Sequence, residues 1–299
     1  MKRTFIPGSE WLFFKLYTGY KSADNILLNF IYPLILELKK EKLISGFFFI
    51  RYVDPQPHIR FRIRIQDLAY YTIVFQKIYN VFSPCVNNGL LISVVCDTYQ
   101  RELERYGENT IELTEQLFDI DSLAILELLD VLQNSNNSEQ ERWLLSLQLI
   151  DDLFMSFNYN LEEKSEQINN YSKNYLVEFH FDGQYHKQLD HKYRENRTMI
   201  EGVLNRSLLL QYAPILERRK EKLKIKGEEL QYYKRENLLM VKLDNLLCSY
   251  IHMTMNRLFR SKNRIYEMVI YYFLDKYYKS EIAKKKYTSR KILVLNPEN

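Results

Sequence analysis

His58, Arg60, Arg62 and Arg64 alternate with Ile59, Phe61, Ile63 and Ile65. On a strand the first set lines one face and the second set the other, so an imidazole and three guanidiniums stand in a row. Such a row is costly unless it is solvated or paired with anions, and guanidinium donors suit carboxylates and phosphates in bidentate pairs. The same alternation also describes a solvated strand face with an apolar back. A second group, Asp97-Thr98-Tyr99-Gln100-Arg101-Glu102-Leu103-Glu104-Arg105-Tyr106-Gly107, is dense in charge. Taken alone it is a salt-bridged exit turn, with Glu102 and Glu104 as partners for the arginines. In a third, Ser249 to Leu258, His252 and Asn256 are i, i+4 neighbours if the segment is helical. A histidine among apolar residues is either a hydrogen-bonded core residue or a general acid–base group, here one held by Asn256. His180, His186 and His191 have spacings that suit no common metal motif and read as surface or loop residues. The basic run from Arg218 to Lys226 is interleaved with Glu217, Glu221, Glu228 and Glu229, which marks a solvated helix face.

Positioning these groups takes strands early in the chain and helices later. Residues 11–17, 46–52, 58–65 and 90–99 read as strands. Residues 23–42 and 67–82 carry helical periodicity, with Ser22 or Asp24 as a cap for the first and Pro33 as an interior blemish. Helices follow at 114–132 and 139–157, and the polar cluster Asn134 to Ser138 supplies the N-cap of the second. Residues 177–181 form a short strand or an irregular segment. Helical patterns return at 190–211 and 217–242, and 243–279 reads as one long apolar-periodic helical region. The tail, 284–299, is basic and then extended. These elements predict a single α+β domain over 1–299. Its sheet is mixed or antiparallel and comes mainly from the N-terminal third, with packed helices and a largely helical C-terminal half.

Composition closes several alternatives. The 299 residues include only 8 glycines, and neither G-x-G-x-x-G nor G-K-[ST] occurs, so no phosphate-cradling loop is expected. Cys85, Cys96 and Cys248 are odd in number and lack C-x-x-C spacing, which argues against a disulfide scaffold or a cysteine-rich zinc site and fits a reducing compartment. The net charge of +4 is small and unclustered, unlike that of a nucleic-acid binder. Pro7, Gly8 and Glu10 interrupt the start before any signal-peptide apolar region forms, and the apolar run at 26–38 is too short to span a bilayer. A cytoplasmic protein is expected.

Four ordered segments carry a resemblance: Trp11-Leu12-Phe13-Phe14-Lys15-Leu16-Tyr17, the stretch from Phe49 to Arg62, the stretch from Asp97 to Gly107, and His252-Met253-Thr254-Met255-Asn256-Arg257-Leu258. Together they resemble the C-terminal domain of class I lantibiotic dehydratases, also called the thiopeptide-type bacteriocin biosynthesis domain. The resemblance implies a lyase that eliminates glutamate from glutamylated Ser or Thr of a precursor peptide, leaving dehydroalanine or dehydrobutyrine. It assigns catalysis to His252, Arg60, Arg62 and Arg101, and substrate binding to His58, Arg64, Arg105, Tyr106 and Asn256. No metal, nucleotide or flavin cofactor is implied. The expected partners are the glutamylated precursor peptide and a separate tRNA-dependent glutamylation protein, as in a split system. A cyclase and a homodimer are compatible with this; direct nucleic-acid binding and a membrane span are not expected. One departure is Glu108, where the family often has a second glycine. Two alternatives stay open: a pyridine-type ring-forming cyclase, and a non-catalytic scaffold that holds the peptide or the partner protein.

Overall fold

The computed structural model describes residues 1–180 and 183–295, with side chains as far as residue 288. Strands β1 (Thr4–Phe5), β2 (Trp11–Tyr17), β3 (Ile44–Val53), β4 (Pro57–Ile65), β5 (Ser93–Asp97) and β6 (Tyr99–Gln100) make two antiparallel sheets. The larger has the order β3-β4-β2-β5, and β1 pairs with β6. The period-two alternation of β4 builds the larger sheet's apolar face. Ile59, Phe61 and Ile63 stand beside Leu16, Phe14 and Leu12 of β2, and all six are buried. Helices α1 (Tyr20–Ile26), α2 (Tyr32–Lys40) and α3 (Tyr71–Asn87) cover that face. The rings of Phe61 and Phe82 meet edge-on at 6.2 Å.

The remaining helices are α4 (Leu103–Tyr106), α5 (Ile111–Leu132), α6 (Ser138–Ser156), α7 (Leu161–Glu178), α8 (Gly183–Leu204), α9 (Ala213–Arg235), α10 (Leu243–Leu258) and α11 (Asn263–Leu295). Helices α5 and α10 run along the outer edge of β3 and cap it group by group. The N–H of Phe47 donates to Asp119 Oδ1 at 3.0 Å, that of Phe49 to Ser122 Oγ at 3.4 Å, and that of Arg51 to Asn256 Oδ1 at 2.8 Å. The α+β expectation stands, and the sheet is antiparallel.

Several elements differ from the sequence expectation. Between α1 and α2 the helix widens into a π turn at Leu27–Ile31. Pro33, in the first turn of α2, has no N–H to offer and its ring crowds the carbonyl four residues back, which the widened turn relieves. Ser22 and Asp24 lie inside α1, whose N-cap is Gly19. Asn137 holds the N-cap position of α6 but makes no side-chain cap bond. Residues 177 and 178 end α7 rather than forming a strand; of that expected segment, Phe181 lies outside the described residues. The tail continues α11 as helix to Leu295, and 296–299 lie outside the described residues. The stretch 243–279 is two helices: Phe259 turns extended and Lys262 takes a φ of 55°. Phe259 stays buried by stacking on Tyr266 at 4.2 Å, which folds α11 back on α10.

Candidate active site

The site is built on the other face of β4. Arg62 stands between Phe13 of β2 and Phe48 of β3 in the strand register. Its Cζ lies 4.4 Å from the Phe13 ring, 5.1 Å from Phe48 and 5.0 Å from Tyr99. Among the described residues no carboxylate forms an ion pair with it, and its Nε is buried without an acceptor. Burial lowers its pKa to about 10 and the neighbouring Arg60 charge works in the same direction, while Tyr99, Glu102 and Tyr106 offset this only in part. A cation–π contact returns at most about 2 kcal/mol, whereas a buried ion without a counter-ion costs several. The aromatic cage therefore leaves this cation short of an anion.

Arg60 is half-buried, with its Cζ over the Tyr52 ring, 3.4 Å from the centroid. His58 Nδ1 donates to the Gln56 carbonyl at 2.9 Å, which assigns the proton to Nδ1 and leaves Nε2 to accept from Arg60 Nε at 3.4 Å. Burial holds His58 below the usual imidazole range, and the Arg60 and Lys15 charges push the same way. His58 is thus a neutral acceptor that orients Arg60.

Helix α10 roofs this face. Met253 closes a cleft lined by Arg62, Tyr99, Glu102 and Tyr106. Arg105, half-buried on α4, donates from Nε to Ser249 Oγ at 3.1 Å, one turn before His252. Tyr106 stacks in parallel on Tyr250 at 6.2 Å, and burial raises its pKa to about 12. Gly107 ends α4 with φ 77°, where a Cβ would meet Thr110 Oγ1 at 2.8 Å. The glycine is required there whatever follows it.

His252 is partly exposed, and its Nδ1 lies 2.8 Å from Glu267 Oε1 on α11. Glu267 is fully buried, and its Oε2 accepts from Tyr175 at 2.6 Å and from Tyr271 at 3.4 Å. With Nδ1–H held by the carboxylate, Nε2 is the basic nitrogen. Asn256 does not hold the histidine as expected. Both of its amide groups are spent on the Arg51 backbone, each at 2.8 Å, so its work is to cap the sheet edge.

Two expected members stand apart. Arg101 is 2% exposed and bidentate with Glu115, at 2.7 and 2.6 Å, with further bonds to the Lys2 carbonyl and Met1 Sδ. Its donors are used inside the protein. Arg64 opens on a separate cleft with Trp11, Asp119 and Lys226. Sequence reading missed Glu267, Tyr175 and Tyr271. The available signal was a carboxylate inside the apolar run Ile265-Tyr266-Glu267-Met268-Val269-Ile270. Among the described residues, no group of His, Cys, Asp or Glu is arranged to hold a metal ion, and no helix is long and apolar enough to cross a membrane.

Residues 11–278 match the family described as lantibiotic biosynthesis dehydratase, C-terminal. The chain belongs to that family. Over 159 residues, 53% of this chain, it is 33% identical to the nisin biosynthesis protein NisB of Lactococcus lactis subsp. lactis, of which it spans 15%. Among solved structures, the fold of this dehydratase-family chain is similar to a tRNA dependent lantibiotic dehydratase, MibB, from Microbispora sp. 107891. The TM-score is 0.72 at 19% identity, covering 94% of this chain and 29% of that one. The fold is also similar to TbtD, a pyridine synthase from thiomuracin biosynthesis, with a TM-score of 0.66 at 12% identity, covering 91% and 99%.

Proposed function

We propose that this chain is a lyase that eliminates glutamate from glutamylated Ser or Thr of a precursor peptide. The observation that carries the reading is Arg62: a buried cation with no ion-pair partner among the described residues, beneath the helix that bears His252. In the proposed step His252 Nε2 takes the Cα proton, the Cα–Cβ double bond forms, and the Cβ–O bond breaks. Its electron pair leaves on the glutamate carboxylate. Arg62 and Arg60 stabilise the anionic charge that develops, as donors that stay ionised and need no reorganisation. Glu267 positions the imidazole and stabilises the imidazolium once the proton has moved.

Of the remaining arginines, Arg105, held beside Ser249, keeps the substrate-binding part that the resemblance implies, while the catalytic part implied for Arg101 is withdrawn. Arg101 becomes a positioning residue, since Glu115 ties it to the Tyr99 hydroxyl and so to one wall of the Arg62 cage. The glutamylated peptide and a separate glutamylating protein are the proposed partners. The test is incubation with a glutamylated test peptide, read by mass spectrometry. Loss of glutamate is expected, and an intact glutamyl peptide overturns the reading.

One observation favours a second reading. The chain matches nearly the whole length of the pyridine synthase TbtD. A ring-forming cyclase would leave the glutamylated peptide intact and convert a peptide bearing two dehydroamino acids, so the same assay with both peptides separates the two.

A further inference from the structure

The two edges of the sheet are treated differently. On β3 three successive outward N–H groups are capped by Asp119, Ser122 and Asn256. On β5 the outward groups have no strand partner among the described residues. Which groups these are follows from the ladder. Thr18 N–H bonds to the Pro57 carbonyl, in line with the β2–β4 register, so the even-numbered residues of β2 bond to β4 and the odd-numbered ones to β5. Lys15 faces Val95 across that ladder. Ser93, Val95 and Asp97 are therefore turned inward, and the N–H and C=O groups of Val94 and Cys96 point away from the sheet.

Beside this bare edge α3 overhangs the sheet. Between them runs an open groove of about 420 Å³ lined by Phe14, Phe75, Tyr79, Phe82, Val86 and Val94. Phe75, Tyr79 and Val86 are exposed large hydrophobic residues. An uncapped strand edge next to an apolar trough has a specific complement: main-chain groups at strand spacing, with every second side chain apolar. A second copy of the chain is a poorer occupant. In an edge-to-edge dimer the side chains entering the groove would be the small Val94 and Cys96.

We infer that the β5 edge and the α3 groove bind an extended peptide segment as a fifth strand, its alternate apolar side chains seated under α3. The inference rests on the proposed function in one respect: that reading supplies a peptide substrate. The other alternate side chains would point to the face that carries Val95, Lys15 and Arg60. The bound strand would lie three strand spacings, about 14 Å, from β4. The edge thus holds a recognition segment, and a neighbouring stretch of the same peptide reaches Arg62 and His252.

The probe is a short fluorescent peptide alternating Val and Leu with Ser and Thr, with a terminal glutamylated serine. Its counterpart carries N-methyl groups on the amides that would pair. Binding is read by anisotropy on the full chain. Val94→Pro removes an outward N–H while sparing the β2 ladder, and Tyr79→Glu charges the groove at an exposed site. Each change, and N-methylation, is expected to weaken binding about tenfold, the worth of one main-chain bond and its packing. Equal binding of the N-methylated peptide, or wild-type binding by both variants, overturns the inference. Concentration-dependent dimers abolished by Tyr79→Glu overturn it in favour of a second copy. Elimination is followed in the same samples: binding without elimination defeats the lyase reading and leaves the docking, and elimination without β5-dependent binding defeats the docking alone.

Discussion

His252 and Glu267 are 15 residues apart in sequence and 2.8 Å apart in space, and the pair concentrates the chemistry in one imidazole nitrogen. Replacing His252 by Ala is expected to cut elimination by about 10²–10⁴-fold while leaving affinity for the glutamylated peptide near wild type, because proton transfer acts mainly in the transition state. Single-turnover rates and a peptide titration check this. Glu267→Gln keeps the shape and the tyrosine contacts but removes the charge that stabilises the imidazolium. Turnover is expected to fall with KM unchanged, and the acid limb of the pH–rate profile is expected to move; a changed melting temperature with an unaltered profile would make Glu267 merely structural. Arg105 and Arg101 separate by the same logic. Arg105→Ala is expected to lose elimination with an unchanged urea midpoint. Arg101→Ala strands the buried Glu115 carboxylate and is expected to cost about 3–5 kcal/mol of stability, read in the same urea titration.

Helix contacts explain which parts of the fold were legible. Gly227 in α9 faces the end of α6, where a Cβ would meet the Ser156 carbonyl oxygen and Phe157 Cα. Gly227→Ala is expected to destabilise by roughly 1–3 kcal/mol, seen as a lower urea midpoint at unchanged slope. Only the close approach of another backbone makes that glycine obligatory, and a single sequence cannot display it. Strand β4 was readable because one of its faces is fully apolar, so its alternation is clean. The arginine row was readable for the same reason, but its partners were not: what cages Arg62 comes from β2, β3 and β6. Helix α7 was missed because its buried face is sparse, with Ile168, Tyr171 and Tyr175 set among polar residues. The capping box of Asn160 and Glu163 was the overlooked signal. The break between α10 and α11 was invisible because apolar periodicity continues on both sides of it.

At the scale of the whole molecule one carboxylate ties the sheet to the helical half. Asp24 of α1 pairs with Arg51 of β3 at 2.5 Å, Arg142 of α6 at 3.2 Å and Arg260 of the α10–α11 joint at 2.6 Å. Burial raises its pKa, but the three guanidiniums outweigh burial and hold the carboxyl below its usual range. The stabilisation is therefore fully present above about pH 4, the unfolded value, and is lost as pH falls through the folded one. Asp24→Asn is expected to cost about 3–5 kcal/mol near neutrality and to flatten the acid limb of a stability–pH curve measured by urea unfolding. Arg260 also gives the α10–α11 joint a second duty, because the same four residues, 259–262, set how α11 is rotated against α10. Adding one residue there would turn α11 by about 100°, swinging Glu267 away from His252 and pulling Arg260 off Asp24 in one stroke. Surface connections usually accept insertions freely; this one acts as a gauge, and tags, linkers or permuted termini placed in it would disable the base and unfasten the two halves together.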